Sequence, residues 1–407
     1  MQSGVTQHAA AAGFAPERLA RIDGWMREQV DGGRLAGLNT LIWRRGQLAY
    51  DGAYGLADIA RGTPFRSDTL VRIYSMTKPL TSVAIMMLYE QGRFQLDDPI
   101  TRFLPAFRNM RVHTGGGRLG YSSEAALRDI TFRDLLTHTS GLTYGFMEAT
   151  PVDALYRQNG VHFERDDVDL GDVIETAAKL PLLAQPGSAW NYSIATDVLG
   201  HLVAVIADED FAEYMRRRVL RPLGMHDTDF HAPSDRHARF AACYVRGPDG
   251  RPKLLDAPET SRFARPPRIA SGGGGLVGTA TDYLRFCRFM LNKGTLDGVR
   301  LLGRKTVELM TSNHLRGDMA DMGQPRFAET SYVGIGFGLG FSVTLDPAQA
   351  QVLGTPGEYS WGGMASTTFW CDPVEDLAVV MMTQLVPSST YPIRRELRVL
   401  SYQAMTD

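Results

Sequence analysis

Within "APERLARIDGWMREQV", residues 15 to 30, the apolar positions Leu19, Ile22, Met26 and Val30 share one helical stripe, with a proline near its start. The next segment, "LNTLIWRRGQLAYDGAYG" at 38 to 55, predicts a hairpin turning at Arg45-Gly46. From Ser75 to Gln91 the residues Met76, Leu80, Val83, Ala84, Met87 and Leu88 form a buried helix face, and Gly92 follows as a stop. Pro79 has no N–H and is tolerated only near a first turn, so this helix is expected to begin close to Ser75.

In "DDPITRFLP", 97 to 105, Asp98 is expected as an N-cap with Pro99 at the first helical position. "ITFRDLLTHTSGL", 130 to 142, reads as a short helix entering a tight turn. Val198, Leu199, Leu202, Val203 and Ile206 mark a helix over 195 to 207, and Tyr283, Phe286, Cys287, Met290 and Leu291 mark another over 279 to 294. The tail changes period. Residues 336 to 345, 366 to 372 and 376 to 384 read as strands, and 391 to 405 as a closing helix.

These elements predict an α/β fold of the α+β type. Residues 1–95 and 276–407 would share one central antiparallel sheet flanked by helices, and 96–275 would form a mainly helical lobe. "SGGGG", 271 to 275, reads as a local flexible loop.

Composition narrows the function. The 407 residues include 43 basic and 45 acidic side chains, a formal charge of −2 without any long basic run, so nucleic acid is not an expected partner. No stretch approaches the roughly 20 apolar residues that cross a bilayer, and the N-terminal segment lacks the basic and apolar regions of a signal peptide. Cys243, Cys287 and Cys371 are sparse and odd in number, which predicts buried thiols in a reducing cytoplasm. Neither HExxH nor a CxxC pairing occurs, so no metal is expected, and GxSxG is missing.

Candidate chemistry begins at "YSMTK", 74 to 78. Residues i and i+3 on a helix are neighbours, which places the Ser75 hydroxyl beside the Lys78 ammonium. A lysine in a partly dry cleft gives up its charge more readily, and can accept a serine proton or support another base that does. The N–H groups of a helix start suit an oxyanion. SxxK alone is common, so it needs companions. Tyr192-Ser193 precede the helix at 195, and Trp361-Gly362-Gly363 precede the strand at 366.

The order SxxK, YSx and then a [K/H/W]-x-G triplet, with "LLTHTSGL" at 135 to 142 between the first two, resembles the serine β-lactamase and penicillin-binding-protein superfamily. Within it the chain looks like family VIII carboxylesterases, with the lovastatin-type acyltransferases nearby. Two departures point that way. Ile194 stands where class C β-lactamases carry the Asn of YxN, and Trp361 stands where KTG supplies a lysine for the substrate carboxylate.

The resemblance implies a β-lactamase-like fold with the site between sheet and helical lobe, and hydrolysis of a small-molecule ester through an acyl-enzyme, without cofactor. It implies Ser75 as nucleophile, Lys78 and Tyr192 as the base system, and an oxyanion hole from the backbone N–H groups of Ser75 and Met364. Trp361 would form an apolar wall. Gly362 and Gly363 would let the strand edge approach substrate, and Tyr144 would line the site. His138, in "THTSG", is expected to hold its turn rather than to join a triad.

Overall fold

The computed structural model describes residues 3–117, 120–323, 326–327 and 330–406. Its centre is an eight-stranded antiparallel sheet with strands from both ends of the chain. β1 (Gly37–Arg44), β2 (Gln47–Asp58) and β3 (Thr63–Pro64) come from the first part. β4 (Ile335–Phe337), β5 (Ser342–Thr344), β6 (Tyr359–Gly362), β7 (Thr368–Asp372) and β8 (Leu377–Thr383) come from the last. The spatial order is β4-β5-β6-β7-β8-β1-β2-β3, so β1 pairs with β8, Leu41 opposite Val380.

The middle strands are apolar throughout because both faces are covered. Along β8, Ala378, Val380 and Met382 enter one core while Leu377, Val379 and Met381 enter the other. Helices α1 (Arg21–Asp31) and α5 (Ile393–Tyr402) pack on the second face. On the first face lie α2 (Thr77–Glu90), α3 (Ala195–Ala207) and α4 (Ala280–Leu291). The β1–β2 turn sits at Arg45-Gly46 with φ of 50° and 79°, the left-handed pair a tight hairpin favours. All three cysteines are buried free thiols. Among the described residues no helix is long and apolar enough to cross a membrane.

Four expectations change. Ser75 lies in a 3-10 turn, Tyr74–Met76, and the α-helix starts only at Thr77. Residues 336 to 345 are a hairpin rather than one strand, because Gly340, at φ 97°, fits where a Cβ would meet Ser82. Asp98 caps nothing helical. Its carboxylate accepts from the Gln95 N–H, Pro99 is extended, and only a 3-10 turn follows at Ile100–Arg102. The middle of the chain also holds hairpins at Arg111–Gly117 with Gly120–Ala125 and at Cys243–Arg246 with Pro252–Asp256. The first is mostly solvent-facing and glycine-rich, so no apolar alternation announced it.

Candidate active site

Tyr74 has φ 43°, a left-handed bend uncommon for a bulky residue, and it turns the chain into the head of α2. The bend is held from outside: the Ile73 N–H donates to the Leu276 carbonyl and the Tyr283 hydroxyl to the Met76 carbonyl. Ser75 therefore sits on a fixed turn rather than on a loop.

Tyr192 arrives from the segment before α3. Its hydroxyl oxygen is 2.6 Å from Ser75 Oγ, and its ring is 3% exposed. Lys78 is 2% exposed, and its Nζ lies 3.4 Å from Ser75 Oγ. The ammonium donates to the Gly273 carbonyl at 2.7 Å and sits 4.5 Å above the centre of the Tyr192 ring. Ser75, Lys78 and Tyr192 thus meet at one point, although 117 residues separate the tyrosine from the serine.

The loop read as flexible is packed. A Cβ on Gly272 would lie 2.7 Å from the Thr196 carbonyl, and one on Gly273 would lie 2.4 Å from Asp197 Oδ2. These glycines let the loop close over Lys78. Asp197, which the motif reading passed over, organises it. Its Oδ1 accepts from the Gly273 N–H at 2.9 Å and from Ser271, and its Oδ2 accepts from the Tyr144 hydroxyl at 3.3 Å. Burial pushes its carboxyl up, while the Lys78 charge and these hydrogen bonds pull it back. Burial also raises the Tyr144 phenol, with the Asp197 carboxylate adding to it. The available signal for Asp197 was an acid inside the apolar run "ATDVLGHLVAVIA".

A continuous cavity of about 980 Å³ opens above Ser75. Tyr144 lines it, stacked on the exposed Phe146 at 4.7 Å. Trp361 forms a wall 5.6 Å from the Tyr192 ring, with Phe163, Tyr332 and Ile335 extending the apolar lining. Gly362, Gly363 and Met364 also line it. The glycines also answer to packing within the protein. A Cβ on Gly362 would meet the Arg394 guanidinium behind the strand, and one on Gly363 would meet Thr367 Oγ1 and the Ile73 carbonyl.

Ile194 is fully buried as the residue capping α3. Its side chain is core, so the departure from YxN adds nothing to the cavity wall. His138 is 2% exposed and packs behind Tyr192, its ring 5.1 Å away and its Nδ1 3.1 Å from Ser193 Oγ. Its carbonyl accepts from the Asn191 N–H, which ties the two motif turns together.

The chain matches the Beta-lactamase family model over residues 22–404. It is 39% identical over 368 residues to protein Rv1367c of Mycobacterium tuberculosis, covering 89% of each chain. It is 34% identical over 385 residues to esterase EstB of Burkholderia gladioli, covering 91% of each. Among solved structures it aligns with EstCE1, a hydrolase with promiscuous acyltransferase activity, at TM-score 0.81 and 28% identity over 96% of this chain and 99% of that one. The resemblance drawn from the three motifs and the expected fold class are both borne out.

Proposed function

The chain belongs to the Beta-lactamase family as a serine hydrolase of that superfamily, and from this premise we propose that it hydrolyses short-chain carboxylic esters through an acyl-enzyme on Ser75. The observation that carries the reading is the meeting of Ser75 Oγ with the Tyr192 hydroxyl at 2.6 Å and Lys78 Nζ at 3.4 Å, beneath an apolar cavity.

Ser75 Oγ attacks the ester carbonyl as its proton passes to the Tyr192–Lys78 pair. The tetrahedral oxyanion accepts from the N–H groups of Ser75 and Met364. The pair then returns the proton to the departing alcohol. Water repeats the sequence on the acyl-serine and releases the acid. Trp361 offers an apolar wall where a lysine would bind an anionic substrate, which favours an uncharged ester.

The test is mass spectrometry of the protein mixed with p-nitrophenyl butyrate and quenched early. The expected result is a mass increase of one butyryl group on the peptide containing Ser75, lost in Ser75→Ala together with turnover. A Ser75→Ala protein with native turnover would overturn the reading. The open apolar cavity also admits an alcohol in place of water, as the description of EstCE1 suggests. Butyryl ester formed in the presence of a primary alcohol would reveal that transfer.

A further inference from the structure

We propose that Arg394, on α5 behind the sheet, is a positioning residue for the reaction: it orients and polarises the Gly363–Met364 peptide, whose N–H serves the oxyanion. The inference rests on the reading that the reaction passes through an acyl-enzyme on Ser75 with Met364 as an oxyanion donor.

Residues 363 to 367 form a tight loop at the end of β6. The Gly363 N–H donates to the Thr367 carbonyl at 2.9 Å and the Ser366 N–H to the Gly363 carbonyl at 3.1 Å. Ser366, at φ 68°, makes the reversal. Arg394 Nη2 grips the neck of this loop. It donates to the Gly363 carbonyl at 2.7 Å and to the Thr367 carbonyl at 3.0 Å.

The Gly363 carbonyl and the Met364 N–H belong to one planar trans unit and point to opposite sides of it. With the carbonyl held by Arg394, the N–H is directed to the other side of the peptide plane, in a cavity wall that both Met364 and Arg394 line. Among the described residues the Met364 N–H has no protein acceptor. The loop also abuts the nucleophile turn, since a Cβ on Gly363 would lie 2.4 Å from the Ile73 carbonyl. A cationic donor on the carbonyl draws electron density from the amide and strengthens its N–H as a donor.

The sequence around the arginine is built for this reach. The three atoms nearest a Cβ at Gly362 all belong to Arg394, the closest at 2.8 Å, so the guanidinium occupies the space that glycine vacates. One turn further along α5, Arg398 contacts both oxygens of buried Glu358 and fixes the helix.

The full chain carrying Arg394→Ala, Arg394→Lys, Gly362→Ala or Gly362→Ala with Arg394→Ala is assayed on p-nitrophenyl butyrate, with Ser75→Ala alongside. Affinity for butylboronic acid is measured on the same proteins, because its serine adduct places a hydroxyl where the oxyanion forms. Removing an oxyanion donor costs about 10²–10³-fold; removing its orienting group should cost about 10–100-fold in kcat, with KM within about twofold. Boronate affinity should fall by the same factor, and Arg394→Lys should recover part of both. Gly362→Ala should match Arg394→Ala on the native background and cost nothing further once the arginine is gone. If Arg394→Ala fails to fold, Gly362→Ala, which only displaces the guanidinium, carries the same comparison. Native kcat in Arg394→Ala, or a kcat loss that boronate affinity does not follow, overturns the inference while an inactive Ser75→Ala leaves the Ser75 reading standing. An active Ser75→Ala overturns both.

Discussion

Two buried polar clusters lie on opposite faces of the sheet, and they are made of the same parts. Behind β6 are a cation, Arg398, a phenol, Tyr402, and two acids, Glu358 and Asp372. In front of it are Lys78, the phenols Tyr192 and Tyr144, and the acid Asp197. Behind the sheet both carboxylates are closed by donors. Arg398 contacts both Glu358 oxygens and stacks over Trp370 at 4.7 Å, and the Tyr402 hydroxyl reaches Glu358 at 2.7 Å and Asp372 at 2.8 Å. Burial and these two carboxylates push the Tyr402 phenol far up, which keeps it a donor.

In front, the cation has no carboxylate of its own. Among the described residues Lys78 makes no ion pair; it is held by a carbonyl, by the serine oxygen and by an aromatic face. Asp197 gives its oxygens to Ser271, Gly273 and Tyr144 instead. Burial of polar groups alone does not distinguish the clusters. Both cations line the cavity, and what distinguishes them is that Arg398 is cancelled in place by Glu358 while Lys78 has no carboxylate partner among the described residues.

The largest expected effects break the front cluster. Lys78→Ala and Tyr192→Phe should each lower kcat/KM on p-nitrophenyl butyrate by about 10²–10⁴-fold, the usual scale for losing a general base. Both proteins should still fold, because neither residue anchors an ion pair, although Lys78→Ala also takes a donor from the buried Gly273 carbonyl and lowers the melting temperature more than Tyr192→Phe. Near-native turnover in Lys78→Ala would end the contrast, since the front lysine would then be a structural group like Arg398.

Glu358→Gln breaks the rear cluster. It leaves the buried Arg398 without its counter-charge, which costs about 3–5 kcal/mol of stability in comparable cases. Urea unfolding measures that loss. The kcat of the folded fraction should hold within about twofold, because Arg394 keeps its own hydrogen bonds to Gly363 and Thr367. A kcat falling in step with stability would make the two clusters one unit.

The front cluster was legible where its chemistry is a local spacing. Ser75 and Lys78 are three apart, and Tyr192 belongs to a motif whose order along the chain can be read. Asp197 was not, because an acid in a first helical turn ordinarily answers the helix dipole. Its real partners, Gly273 and Tyr144, are 76 and 53 residues away. Arg394 was hidden in the same way, as one basic residue in the polar face of "YPIRRELRVL". Gly362 was read from its motif as a position needing space, and the guanidinium that takes up space beside it could not be read from the motif. The sheet was legible because β8, with both faces covered, is a continuous apolar run. The hairpin at 111 to 125 was not, because it buries too little to leave a pattern.

A smaller effect sharpens what the front cluster lacks. With Ile194 in the core, the preference for esters over β-lactams rests on Trp361, which carries no charge for the antibiotic's carboxylate. A charge-assisted hydrogen bond contributes about 1.5–3 kcal/mol, so kcat/KM for nitrocefin should trail that for p-nitrophenyl butyrate by tens to hundreds of fold. A preference for nitrocefin would mean that another cation serves the carboxylate.

The smallest effect separates the two faces by pH. Burial pushes the His138 imidazole well below its ordinary range, and the nearby Lys78 charge pushes the same way. The folded protein therefore binds this proton less readily than the unfolded chain does. The sign follows: the contribution of neutral His138 is fully present above the unfolded pKa of about 6.5 and is lost as pH falls below it, by up to about 1.4 kcal/mol per pH unit. His138→Asn keeps a residue that tolerates the φ of 55° at this position, and it loses the titrating ring. The variant should be somewhat less stable than the native protein at pH 8, because ring contacts to Tyr192, Trp190 and Phe337 are gone. The deficit should shrink as pH falls from 6.5 toward 5. Groups that titrate elsewhere in this window, such as Asp282, pushed up to about 6 by burial, act equally in both proteins and cancel in the difference. Glu358→Gln, by contrast, removes a carboxyl that burial holds above its ordinary range and that binds its proton more readily in the fold than in the unfolded chain, so its deficit should not shrink as pH falls toward 5. Urea melts of the three proteins at pH 8, 6.5 and 5 make the measurement. Parallel curves for the native protein and His138→Asn would show that this ring does not titrate against the fold.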